Sequence, residues 1–308
     1  MVEKERLLLV ASPLMRRTAA FDRAAALAHV KRASLHIVAF DYVEGLATAG
    51  MVNEQALHEM REGYLNRHRQ WLEDQAAPMR NFEAKTEGDV TITTEVVWVQ
   101  RPLEEILRYV QEMNPSLLIK DLEHESLLTR ALFTSLDLHL LRDCPAPLHL
   151  VSRLQHGVPR RILAAVDAFR TDEQPAALND TIIHNAEKLA AQCEAQLHLL
   201  YAYDLSHIYS GPEGNGFSTV IGLDSYEAQG KAFSELADRF GVAPQLRHFI
   251  MGSPAKVIEA FAKAHDIDVI VMGTVSRRSS RRLLGSTTEQ VAYHMPSSLL
   301  AVPSPEQE

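Results

Sequence analysis

Val269 to Val302 reads VIVMGTVSRRSSRRLLGSTTEQVAYHMPSSLLAV. It opens with an apolar run, passes through a Gly/Ser/Arg segment, enters a helical pattern at about Ser286 or Thr287, and closes on a second apolar run, Leu299–Val302. Short continuous apolar runs bounded by turn residues suit strands buried on both faces. Strand, crossover helix and strand make the βαβ unit of a parallel sheet.

Outward from this stretch, the same plan recurs. Leu117-Leu118-Ile119 parallels Val269-Ile270-Val271, and the run from Cys144 to Val151 parallels that from Met295 to Val302. Pro102 and Pro254 each stand at a helix start, where the missing N–H costs nothing. The run from Leu7 to Ser12 parallels that from Ile162 to Asp167, and Ser34–Phe40 parallels Gln196–Ala202, each carrying Leu-His. Helical patterns cover about Thr18–Val30, Gln55–Gln75, Pro175–Gln192, Tyr226–Phe240 and Pro254–His265. The segment Ser152–Arg160 holds Gly157 and Pro159 and suits a linker. The expected architecture is α/β: two tandem Rossmann-like or flavodoxin-like domains, residues 1–152 and 160–308, each a five-stranded parallel sheet with helices on both faces.

Composition narrows function. The 308 residues are 46% hydrophobic and 23% charged, with a formal charge of -9. An acidic chain argues against duplex nucleic acid as the main partner, because phosphate neutralisation needs clustered Lys/Arg. Two cysteines exclude a disulfide scaffold and a four-cysteine metal site, and suit a reducing cytosol. Cys144 and Cys193 both read as buried, inert thiols. No run approaches the roughly 18–20 apolar residues of a membrane helix. Glu3 and Glu5 spoil the basic start of a signal peptide, and the expected location is cytoplasmic. No HExxH, CxxC or Gly-x-Ser-x-Gly pattern occurs, so no catalytic or metal residue is assigned.

In open parallel sheets, ligands bind beyond the carboxyl ends of the strands where strand order reverses. The residues after the first and fourth strands of each copy are therefore the ones to weigh. In the second copy, Gly273 would let the backbone turn and approach a ligand. Gly285, Ser286 and Thr287 stand before a helix N-terminus, whose free N–H groups and dipole favour an anion. The same residues equally suit a plain helix start, with Ser286 as N-cap and Glu289 completing a capping box. Arg277, Arg278, Arg281 and Arg282 form a dense basic cluster that would attract phosphate or another polyanion, or form a solvated loop face.

Here the sequence resembles the universal stress protein superfamily, over essentially the whole chain, as two tandem domains. Carrying the resemblance are Gly273, Gly285 and Ser286, the tail LGSTTEQVAYHMPSSLLAV, and RILAAVD with Asp167 at its end. The resemblance implies that some members bind ATP. Asp167 would face the nucleoside, and Gly273, Gly285 and Ser286 the ribose and phosphates. Ser276 stands where the family has its second glycine, and the loop from there to Gly285 is one residue short of the family pattern.

The first copy differs. Ser12 replaces the acid, Lys120 takes the place of the first glycine, and Phe133 that of Gly285. Asp121, Glu123 and Glu125 would repel phosphate. With His124 they read as a solvated loop in preference to a metal cluster. The functional expectation is a cytoplasmic, non-enzymatic stress-response protein acting by binding a small molecule, with a degenerate ATP-type site in the second domain. The alternative is a binder of an apolar or lipid-like anionic metabolite, lined by the segments after the second strands, without nucleotide. The apolar last strands suggest a pseudo-dimer of the two copies within one chain and leave further homodimerisation open. No sequence-specific nucleic acid and no membrane is expected as a partner.

Overall fold

The structure, a computed structural model, describes residues 5–42, 54–85, 90–122, 136–152, 156–168, 176–204, 217–274, 286–294 and 297–304, the side chains of 176, 217–224, 286, 293 and 294 excepted. The chain divides into two compact units, Met1–Val151 and Ser152–Glu308.

Unit 1 holds β1 (Arg6–Ala11), α1 (Ala19–Lys31), β2 (Ser34–Asp41), α2 (Glu54–Lys85), β3 (Ile92–Trp98), α3 (Pro102–Met113), β4 (Leu117–Asp121), α4 (Leu136–Asp143) and β5 (Leu148–Val151). Its strands run parallel in the order β3-β2-β1-β4-β5. Unit 2 holds β6 (Arg161–Val166), α5 (Ala176–Cys193), β7 (Gln196–Tyr203), α6 (Phe217–Arg239), β8 (Arg247–Met251), α7 (Pro254–Ala264), β9 (Val269–Thr274), α8 (Ser286–His294) and β10 (Ser298–Pro303). These strands are also all parallel, in the order β8-β7-β6-β9-β10. The central strands explain the apolar runs: Leu7, Leu8, Leu9, Ile162, Leu163 and Val269–Val271 are fully buried. A side chain has no solvent face in a sheet covered on both sides, so alternation disappears. Right-handed crossovers put the helices that follow the first two strands on one face and the next two on the other.

In each unit the chain steps outward from the central strand, then returns to its other side. The strand order therefore reverses between β1 and β4, and between β6 and β9. Those two carboxyl-end crevices are where this architecture places ligands.

One helix runs well beyond its sequence reading. α2 continues to Lys85 through Pro78, although an interior proline costs a helix about 3 kcal/mol. Tertiary contacts offset this. Glu83, buried, meets His29 Nδ1 at 3.1 Å, and Arg80 Nε donates to the Ile92 carbonyl at 2.9 Å. α6 starts at Phe217, earlier than its periodicity suggests. Cys144 is buried as expected, but Cys193 is only half-buried, because it ends α5.

Candidate functional site

The switch point of unit 2 is built from the ends of β6 and β9. β6 delivers Asp167 just past its last residue, Val166. Two hydrogen bonds with one side chain fix the backbone of Asp167. Its N–H donates to Asn179 Oδ1 at 3.1 Å, and Asn179 Nδ2 donates to its carbonyl at 2.8 Å. Asn179 lies in the first turns of α5. β9 delivers Gly273, paired with Val302 of β10. Its carbonyl accepts from the buried Thr288 hydroxyl of α8 at 3.1 Å, which ties the start of α8 to the strand end.

Gly273 serves a different purpose from the one its sequence suggests. It continues β9 without a left-handed φ, so no sharp turn occurs there. The close approach is made by the protein itself. A Cβ at Gly273 would lie 2.9 Å from Leu178 Cδ1 and Cδ2, and Leu178 is a buried residue of α5. A larger residue here would require the Leu178 side chain to shift.

Of the other sequence candidates, Thr287 is half-buried in the first turn of α8, one residue before Thr288. Ser286 opens α8. Ser276, Gly285, Arg277, Arg278, Arg281 and Arg282 lie outside the described residues. The structure therefore brings Asp167, Gly273 and the start of α8 together. It adds Asn179, Leu178 and Thr288, which the sequence reading missed. One weak signal existed: Asn is a poor helix former, and its place early in α5 suggests a local hydrogen-bonding task.

Unit 1 carries charges at the matching strand end. Register corrects the sequence alignment here. Val151 pairs with Asp121, as Val302 pairs with Gly273, so Asp121 and not Lys120 holds the glycine's place. The apolar run had been aligned correctly, but the position after it was displaced by one residue. Asp121 stands near Thr18 and Ala20 at the start of α1, and both act to lower its carboxyl. A carboxylate thus lies close to the N-terminus of α1, where negative charge is favoured. Burial pushes the Asp121 carboxyl up, and Lys120, Thr18 and Ala20 only partly oppose this. Lys120 Nζ lies 2.9 Å from Asp137 Oδ1, both side chains being about 5–6% exposed, and donates to the Asp121 carbonyl. Glu123, His124, Glu125 and Phe133 lie outside the described residues.

The comparisons with known proteins fit this duplicated architecture. The model of the Universal stress protein family matches residues 5–152 and again 159–303. The chain belongs to the universal stress protein family. Universal stress protein E of Escherichia coli K12 is 30% identical over 246 residues, covering 79% of this chain and 76% of that protein. The Haemophilus influenzae homologue is 26% identical over 257 residues, covering 82% and 81%. Among solved structures, a universal stress protein from Archaeoglobus fulgidus superposes with TM-score 0.62 at 16% identity, covering 98% of this chain and 97% of that one. A Pseudomonas aeruginosa PAO1 protein described as functionally unknown superposes with TM-score 0.70 at 23% identity, covering 98% and 93%. The likeness of these two structures extends to fold. Each matched segment of the family model spans one unit, so each carries its own switch point.

A second polar cluster marks unit 1. Asp41, at the end of β2, accepts from the Tyr42 N–H at 2.7 Å and from the Tyr64 hydroxyl, and meets His68 Nδ1 at 3.2 Å. Burial alone would raise its carboxyl. The hydrogen bonds from His68, Tyr64 and Tyr42 outweigh burial and hold it below the usual range. Burial and the Asp41 charge push the Tyr64 phenol up to about 12. Unit 2 puts aromatic residues at the same intervals: Tyr203 packs on Tyr226, and Gly230 takes the place of His68. A Cβ at Gly230 would lie 3.3 Å from the Phe249 ring.

Proposed function

We propose that this chain is a non-enzymatic, cytoplasmic stress protein that acts by binding a nucleoside phosphate at the switch point of unit 2, while unit 1 binds none. The observation that carries this reading is the contrast at one register position. Asp121 supplies unit 1 with its own anion at the start of α1, whereas unit 2 has Gly273 there, beside a backbone-pinned Asp167. The carboxylate of Asp167 would accept from ribose or base. The N-terminus of α8, with Ser286 and Thr287, would receive phosphate. Gly285 and the arginines Arg277, Arg278, Arg281 and Arg282 would complete the phosphate side. A tight site also requires Leu178 to yield some of the space it occupies over Gly273.

A second reading has its own support. The aromatic packing of Tyr203, Tyr226 and Phe249 after β7, with Tyr226 43% exposed, suits an apolar or lipid-like anionic metabolite without nucleotide.

Native mass spectrometry of the untagged chain, followed by ATP titration, separates the two readings. The nucleotide reading expects one ATP or ADP per chain, lost in Asp167→Ala and Gly285→Phe and retained in Ser12→Ala. A bare mass with no ATP binding overturns it, and a bound apolar metabolite unaffected by Asp167→Ala supports the second reading.

A further inference from the structure

His198 and His248 occupy the opposite end of unit 2 from the switch point. His198, buried, stands near the start of β7; His248 stands on β8, which among the described residues is an edge strand paired with β7. His198 Nδ1 lies 3.0 Å from His248 Nε2, and the two rings stack with centroids 5.2 Å apart. His198 Nε2 lies 3.2 Å from Gln196 Oε1. That network assigns the tautomers. His198 donates its Nε2–H to Gln196, and its Nδ1 lone pair accepts the Nε2–H of His248.

The other neighbours are apolar or positive. From α7, Phe261 lies 4.4 Å from the His248 ring, and His265, just past the end of α7, stacks on Phe261 at 3.9 Å. His265 is within 6.2 Å of both paired histidines, and from β6 the Arg161 charge acts on His198. The nearby carboxylates are engaged elsewhere. Asp266 pairs with Arg161 at 3.3 Å, and Asp268 accepts the Arg160 and Arg161 N–H groups and meets His156.

We propose that His198 and His248 form an acid-released latch that holds the edge strand β8 on β7. Above about pH 6.5 both imidazoles are neutral and share their hydrogen bond. A first proton on the free Nδ1 of His248 leaves that bond in place but adds a charge in a half-buried, positively surrounded site. A second, on His198 Nδ1, sets N–H against N–H and opens the pair. Burial, then the neighbouring histidines, push His248 down to about 4. Burial, His265 and Arg161 also lower His198. The unfolded state takes up these protons at about pH 6.5. It therefore binds more protons than the folded state between that pH and about 4, and stability falls as pH falls through this window.

Unit 1 lacks the latch at the matching place. His36, which follows Leu35 as His198 follows Leu197, faces a carboxylate, with Nε2 3.4 Å from Glu95 Oε2. Its Nδ1 meets the Thr93 hydroxyl, and Tyr109 takes the place of Phe261.

The test is amide hydrogen exchange of the full chain at pH 7.5 and 5.0, expressed as protection factors so that intrinsic rates cancel. Protection of β8 should fall on the order of tenfold more than that of β3, since each unit of displaced pKa is tenfold. His248→Gln, which cannot be protonated, should diminish the excess loss, leaving only the share of His198. His248→Glu, which copies unit 1, should reverse it. Equal losses in β8 and β3, or an undiminished loss in both variants, would overturn the proposal.

Discussion

The two switch points share a backbone plan and differ in what occupies them. Unit 1 places Asp121 near the start of α1 and pairs the buried Lys120 with Asp137. Unit 2 places Gly273 under Leu178, Asn179 on Asp167, and Thr288 on the strand end. A duplicated domain that supplies its own anion has no need of a ligand's. The copy with uncharged packing at that place can keep one.

The largest expected effect breaks the unit 1 arrangement. Asp137→Ala leaves the Lys120 ammonium buried without its ion pair and should cost unit 1 about 3–5 kcal/mol, whereas Lys120→Met with Asp137→Leu should be near neutral or stabilising. Both tryptophans, Trp71 and Trp98, lie in unit 1, so tryptophan fluorescence during urea unfolding reports from that unit. A small loss in Asp137→Ala would mean that Lys120 does not depend on this ion pair. Next, Asn179→Ala removes both hydrogen bonds to the Asp167 backbone and should cost unit 2 about 1–3 kcal/mol, seen by circular dichroism with tryptophan fluorescence unchanged. Under the nucleotide reading it should also weaken ATP binding. Gly273→Ala should cost about 1 kcal/mol by overpacking. Most of that cost should vanish in the Leu178→Ala background, and a double-mutant cycle with no coupling would remove Leu178 as the reason for the glycine. Thr288→Val, the smallest change, should cost about 0.5–1 kcal/mol and loosen the start of α8, read as faster amide exchange there.

Much of this fold was legible because buried parallel strands write continuous apolar runs, and Pro102 and Pro254 mark helix starts where prolines stand at N1. The long α2 was not, because Pro78 argues locally for a stop, and only Glu83 with His29 and Arg80 with Ile92 carry the helix past it. Asp167 and Gly273 were legible as site residues from their places after the strands. Asn179, Leu178 and Thr288 were not, because their partners are distant in sequence. Lys120 was misread as the glycine's counterpart since adjacent residues in a strand look interchangeable in a short alignment. A one-residue slip sends the side chain to the other face, and only the pairing of Asp121 with Val151 fixes it.

The sequence by itself determined the duplication, the parallel α/β class, the strand ends that carry candidate chemistry and the family. Those follow from periodicity and from motifs that are local in the chain. Tertiary structure alone decided why Gly273 is glycine, which charge fills unit 1, and that His198 faces a second histidine where His36 faces a carboxylate. Each depends on groups far apart in sequence meeting at distances of a few ångströms, where burial decides which charges survive.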